Sequence, residues 1–230
     1  MAQRGPGVGE RLGRRPQLSD EVAAYVRDLI MAGQVREGDF LRLERLAADL
    51  GVSVTPVREA LLALRGEGFV QLEPRRGFVV APLSRQDVQD LFRVHADVAA
   101  ELAARAARRM TPEVLAELER LQEEMEAAAR AADSERVSEL NHRFHRAINR
   151  SADSNKLAWV LGTVVRYAPR RFFGQITGWP EASSEDHIAL LAAFRAGDPE
   201  AASTAMHRHI THAGELLADH LAERGLWREA

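Results

Sequence analysis

Eight histidines and no cysteine set the chemistry open to this chain. Thiolate metal sites and disulfides are excluded, which leaves imidazole working with oxygen donors. All eight histidines lie in the second half of the chain or at its threshold, from His95 to His220. A single histidine is more often a surface residue or a satisfied core residue than a ligand, so any signal lies in their grouping. In Asn141-His142-Arg143-Phe144-His145 the amide and the second imidazole stand four residues apart, on one face of a helix. His187 and His209 fall on later helical stretches. Imidazole nitrogen suits zinc, nickel and similar ions. A second group of polar residues is Ser53, Thr55 and Arg58, in GVSVTPVREALLALR at 51–65. Two hydroxyls and a guanidinium at the exposed start of a short helix are what a DNA recognition helix requires.

The elements that must position these groups are set by punctuation and period. Residue Gly51 suits a turn, Ser53 or Thr55 can cap the helix after it, and Pro56 sits in its first turn. Val57, Ala60, Leu61 and Leu64 make its buried face. Upstream, 19–32 reads as a helix capped by Ser19 with Val22, Val26, Leu29 and Ile30 inward, and 43–50 as a second helix with Arg42 and Arg45 outside. Downstream, 69–73 and 77–80 are rich in strand formers and joined by Pro74-Arg75-Arg76-Gly77, a hairpin. Residues 81–83 form a linker. Ser84 and Asp87 make a capping box flanked by Leu83 and Val88 as a hydrophobic staple. From there only helices are predicted: 87–109 with Val88, Leu91, Val94, Val98 and Leu102 on one face; 112–132 capped by Thr111; 134–152; 156–173; 187–196 capped by Ser183 and Asp186; and a last helix to about 224.

The chain of 230 residues carries 31 Lys+Arg against 34 Asp+Glu, a net charge of −3. The total argues weakly against nucleic acid, but a regulator needs only a local basic stripe. No apolar run approaches membrane-spanning length. Residues 1–15 are rich in Gly, Arg and Pro, without the apolar segment of a signal peptide; they read as a disordered tail in which Arg11, Arg14 and Arg15 could touch phosphates. A cytoplasmic protein is expected.

V-S-x-T-P-V-R-E-A-L at 52–61, with E-G-F-V and a hairpin after it, resembles the winged helix-turn-helix of the GntR family of bacterial transcription regulators. The second half, from Ser84 to Arg224, resembles the FCD ligand-binding domain of the FadR-type branch of that family, which carries D/N-x-x-F-H on one helix and one histidine on each of two later helices. The resemblance implies a mostly α fold: an N-terminal winged helix-turn-helix (16–82, three helices plus a β-hairpin wing), then an all-α antiparallel helical bundle (84–224). It implies a homodimeric, sequence-specific regulator of a near-palindromic double-stranded DNA operator, with Arg42, Arg45, Ser53, Thr55 and Arg58 facing DNA and Arg75, Arg76 and Gly77 at the wing tip. It also implies a divalent metal, zinc or nickel, on Asn141, His145, His187 and His209, and a small-molecule effector, such as a carboxylate, bound against it.

The sequence departs from the family pattern at three positions. Val54 stands where many relatives have a guanine-reading arginine, so the operator should differ from the commonest type. Asn141 replaces the more usual Asp. His95 stands where an arginine would meet an effector carboxylate, with Arg166 and Arg170, one turn apart, as substitutes. His142, His207, His212 and His220 match no ligand position. The competing reading is a hydrolase-like metalloenzyme with an appended DNA-binding domain. It lacks a well-placed acid/base carboxylate, since Glu185 and Asp186 read as helix-start residues. A third reading makes the histidines structural, or the metal itself the signal.

Overall fold

The computed structural model of the chain describes residues 18–167, 176 and 178–227. Two compact units result: one from the described residues up to Leu29 with Glu37–Ala81, the other from Ile30–Arg36 and the chain from Pro82 on. The 1–15 tail, with Arg11, Arg14 and Arg15, lies outside the described residues, as does Arg170.

The first unit contains α1 (Leu18–Met31), β1 (Phe40–Leu41), α2 (Leu43–Leu50), α3 (Val54–Gly66), β2 (Val70–Glu73) and β3 (Gly77–Val80). α1 begins one residue before Ser19, which therefore sits inside the first turn instead of capping it. Gly51, at φ 66°, closes α2 in the left-handed conformation, and the Val52 N–H reaches back to the Ala47 carbonyl at 3.0 Å. Ser53 holds the position before α3 with extended backbone, but its side chain makes no capping bond, and Thr55 lies within the helix. The start of α3 thus keeps both hydroxyls outward. Val57, Ala60, Leu61 and Leu64 are all fully buried, which pins α3 by its inner face alone. The hairpin is joined by a strand that periodicity did not predict: β1 pairs antiparallel with β3, Phe40 opposite Val79 and Leu41 opposite Phe78. Two residues are too few to display a period of two.

The second unit is helical among its described residues: α4 (Arg85–Ala107), α5 (Pro112–Arg130), α6 (Ser134–Ser151), α7 (Asn155–Val164) with a 3-10 turn at Val165–Tyr167, α8 (Trp179–Ala196) and α9 (Pro199–Glu223). No helix among the described residues is long and apolar enough to cross a membrane. The capping box forms at Ser84: its hydroxyl accepts from the Asp87 N–H at 3.0 Å and its own N–H donates to the Asp87 carboxylate at 2.8 Å. Thr111 caps α5 as expected. α4 packs along α9 and also meets α6 and α7, α5 lies against α6 and α8, and α8 against α9.

Three expectations fail here. α7 ends at Val164, short of the predicted 173, and residues 168–175 lie outside the described residues. Ser183 and Asp186 do not cap a helix starting at His187. α8 starts at Trp179, after Gly178 at φ 80° makes the turn and with Pro180 in the first turn. The two polar residues are therefore carried into the middle of the helix, and both are buried. On α4 the buried face runs through Phe92, Ala96, Ala99 and Ala103, while Val94 is 49% exposed. Periodicity weighted the larger valine, but the contact with α9 selects small residues that let two helices approach closely. At that contact a Cβ on Gly214 of α9 would lie 2.6 Å from Cβ and Cγ of Phe92.

Gly214→Ala tests this packing, because the two effects have opposite sign. Alanine gains about 1 kcal/mol of helix propensity over glycine. Overpacking against a ring anchored near its own backbone costs about 1–3 kcal/mol. A net loss of stability, read as a lower urea midpoint, is expected; a gain would show that the helices are not in close contact there.

Candidate functional site

Three helices of the second unit deliver one imidazole each to a common point. His145 comes from α6, His187 from α8 and His209 from α9. Each offers a ring nitrogen, and these lie within 4.8 Å of one another. Nε2 of His145 is 3.1 Å from Nε2 of His209, and those two rings stack at 5.0 Å and 20°. His187 is fully buried and lies flat against Phe144, with centroids 4.2 Å apart at 16°. His187 Nε2, His209 Nδ1 and the Asn141 side-chain oxygen are buried without a hydrogen-bond partner. Orphaned polar atoms in a core cost about 1–3 kcal/mol each, so the unpaired His187 Nε2, on the ring that meets the other two imidazoles, calls for a ligand.

The donor set fits a divalent cation. Burial, and then the neighbouring His209, hold His145 and His187 neutral, far below the ordinary histidine range, and a neutral imidazole is the form that ligates. One buried carboxylate stands behind them. Asp186 accepts from Arg208 Nε at 2.8 Å, and its second oxygen lies 3.7 Å from His209 Nδ1 and 3.5 Å from His212 Nδ1. Burial works against the charged form, yet the His209 and Arg208 side chains outweigh it and hold the acid below its usual value.

Beside the imidazoles is a cavity of about 380 Å³ that Asn141, His145, His209 and His95 help to line. Burial, then His209, pushes His95 down to about 4, so at neutral pH it offers a neutral ring where a cation would suit a carboxylate. The apolar wall includes Phe92, Leu161, Trp179, Met206 and Ile210. Arg146 and Arg150 also border the cavity and are exposed. Arg166 is exposed on the 3-10 turn next to Val165, which borders it. Sequence reasoning missed Arg146 and Arg150, which stand four and eight residues beyond His142 on the same helix. It also missed Gln122 and took Asp186 for a cap. The available signal for Gln122 was an amide inside the apolar stripe Leu118, Leu121, Met125.

In the first unit, Arg42, Arg58, Arg76 and Gly77 border one surface cleft between α3 and the hairpin, with Phe40 and Leu72. Ser53, Thr55 and Arg58 are all exposed. Arg76 lies over the Phe40 ring at 4.9 Å and bonds Glu73 at 3.1 Å. Arg75, at φ 65°, makes the tip of the hairpin. Arg45 points elsewhere on α2, 3.8 Å from Asp49.

A helix-turn-helix with a three-stranded wing, joined in one chain to a helical unit that encloses a cavity beside three imidazoles, defines a DNA-binding regulator. The family models make that specific: residues 18–80 match "Bacterial regulatory proteins, gntR family" and residues 90–212 match the FCD domain. The chain belongs to the GntR family of regulators, with an FCD domain. It is 29% identical to the HTH-type transcriptional regulator McbR of Escherichia coli, over 85% of this chain and 89% of that protein. It is 25% identical to the transcriptional repressor RspR of the same species, over 96% and 97%. The solved structure of E. coli McbR/YncC superposes with a TM-score of 0.71 at 26% identity, covering 90% of this chain and 99% of that one. These relatives are transcription regulators, and no enzyme reading is supported.

Neutral buried histidines make a pH prediction for chelator-treated protein. The unfolded chain binds these protons below about 6.5 and the folded chain does not, so unfolding takes up protons and stability falls as pH falls. The loss should begin near 6.5 and continue, for His95, to about 4, at up to about 1.4 kcal/mol per pH unit for each such histidine. Urea midpoints at pH 7.5, 6.5 and 5.5 check this; a flat profile would mean that the rings titrate freely.

Proposed function

We propose that this regulator reads a near-palindromic operator as a homodimer and releases or tightens on it when a small effector binds in the helical cavity. The domains assigned to these tasks are 16–82 and 84–224, and the protein works in the cytoplasm. The carrying observation is the meeting of three imidazoles from three helices beside a cavity with orphaned polar atoms. Twofold protein symmetry calls for a twofold site. Arg58 and Thr55 serve as base contacts, with Ser53 beside them; Arg42 and Arg45 serve as phosphate contacts, and Arg75, Arg76 and Gly77 as the wing. The shared cleft of Arg42, Arg58 and Arg76 supports this, while the Arg45–Asp49 pair weakens the assignment for Arg45.

His145, His187 and His209, with the Asn141 carbonyl, hold a divalent metal, zinc or nickel. A bound ion would supply a Lewis-acidic point at the inner end of the cavity. The chain's own residues then select the effector: Phe92, Leu161 and Ile210 accept an apolar body, and the exposed Arg146 and Arg150, with Arg166, favour an acid. His95 orients a polar group of the ligand. Binding couples to DNA only through differential affinity for two arrangements of the protein.

Anisotropy titration on the protein's own promoter fragment tests the DNA reading. Arg58→Ala should cost about 1–3 kcal/mol on the operator, roughly fivefold to more than a hundredfold, with a much smaller loss on unrelated DNA. Equal losses would make Arg58 a phosphate contact. Elemental analysis of purified protein tests the metal: His187→Ala with His209→Ala should abolish bound metal, and unchanged content would dismiss the site.

A further inference from the structure

From α5 we infer that Gln122 is the residue that fixes His187 as a metal ligand, by dictating which ring nitrogen carries the proton. Gln122 is 4% exposed, in the middle of an apolar face. Its amide nitrogen donates to Glu126 Oε1 at 2.9 Å and to Ser184 Oγ at 2.9 Å. Ser184 in turn donates its hydroxyl proton to the same Glu126 oxygen at 3.2 Å, so its lone pairs are free to accept from the amide. A carboxylate only accepts. Both partners therefore require the NH₂ end of Gln122, and the amide cannot flip without losing both bonds.

That leaves the Gln122 carbonyl facing His187 Nδ1 at 2.9 Å. A carbonyl only accepts, so Nδ1 must carry the hydrogen. In a neutral ring the lone pair then sits on Nε2. Nε2 is the atom found buried and without a partner, on the ring that meets His145 and His209. Phe144, stacked on the ring, holds its plane. Tautomer, rotation and plane of His187 are thus all set by groups that touch no ligand. Gln122 is a positioning residue, and Glu126 acts through it. Outer-shell partners of this kind typically change metal affinity by about 10–100-fold. The inference rests on the metal reading above.

The test uses the full chain and Zn²⁺ alone, with affinity read by competition against a chromophoric chelator. Gln122→Met keeps the volume and removes the acceptor. Its Zn²⁺ affinity should fall about 10–100-fold. In metal-free protein, the nitrogen-15 signals of the His187 ring should change from one Nδ1–H tautomer to a mixture, a change that loss of packing alone would not produce. Gln122→Glu combined with Glu126→Gln restores the acceptor facing His187 and the donor behind it, and should recover affinity to within about threefold of the original. A folded Gln122→Met protein that binds Zn²⁺ like the original, or a double variant that folds but stays weak, overturns the role of Gln122 and leaves the metal reading intact. An original protein that binds no Zn²⁺ removes the metal reading, and this inference with it.

Discussion

The second unit is governed by the demand that polar atoms inside an apolar bundle find partners. His187 and His209 are buried among leucine, alanine and phenylalanine side chains. Each costs free energy unless its nitrogens are met. One nitrogen of His187 is met by an amide that is itself locked. A carboxylate approaches one nitrogen of His209. The remaining nitrogens meet in the same small volume, and the unpaired oxygen of Asn141 belongs to a residue that lines the cavity beside it. A bundle that only needed filling would have placed leucine at these positions. The arrangement makes sense as a cost accepted in the free protein and recovered when something binds there.

The first unit obeys a different constraint. It has few residues with which to fix a helix whose working edge must stay wet. It does so from behind: four fully buried side chains of α3 anchor one face, and Ser53, Thr55 and Arg58 are left outside. Side chains also support one another at the wing. Arg76 is held over Phe40 by a cation–π contact and tethered to Glu73. This limits the rotamers a long flexible side chain would otherwise lose on binding. β1 supplies that aromatic ring, so the short strand serves to position the hairpin's arginine.

How much of this could be read in advance depended on the range of the signal. α2 and α3, the capping box at Ser84 and the Thr111 cap of α5 were legible because caps, turns and apolar spacing are local. The histidine set was legible because Asn141 and His145 share a helix face and His187 and His209 match a known pattern. The start of α8 was not, since Ser183 and Asp186 resemble a cap and only the tertiary fold shows them carried inside. Val94 misled because period and size were read without the neighbour: close approach of α9 at Gly214 rewards alanine over valine. Gln122 stood out only as an amide in an apolar stripe, and its role was hidden for a similar reason. Nothing near it in sequence is a histidine, and its meaning comes from α8, 65 residues away.

The departures from the family pattern acquire a common sense once the charges around the imidazoles are counted. Asn141 brings an uncharged oxygen where a carboxylate is usual, and His95 brings a neutral ring in place of a guanidinium. The first change removes a negative charge from the inner end of the cavity and the second removes a positive one. The difference between them is one of position and strength. On the proposed metal reading, a divalent ion held by neutral donors would keep its full charge, with Asp186 at one remove. An anionic group on a ligand would then be drawn to the ion itself and would need no arginine at position 95. On the same reading, the exposed arginines of α6 would meet a ligand on entry, and the ring of His95 would choose among ligands by hydrogen bonding. Discrimination by a directed hydrogen bond is sharper than discrimination by charge, because a ligand lacking the matching atom leaves a polar group unpaired.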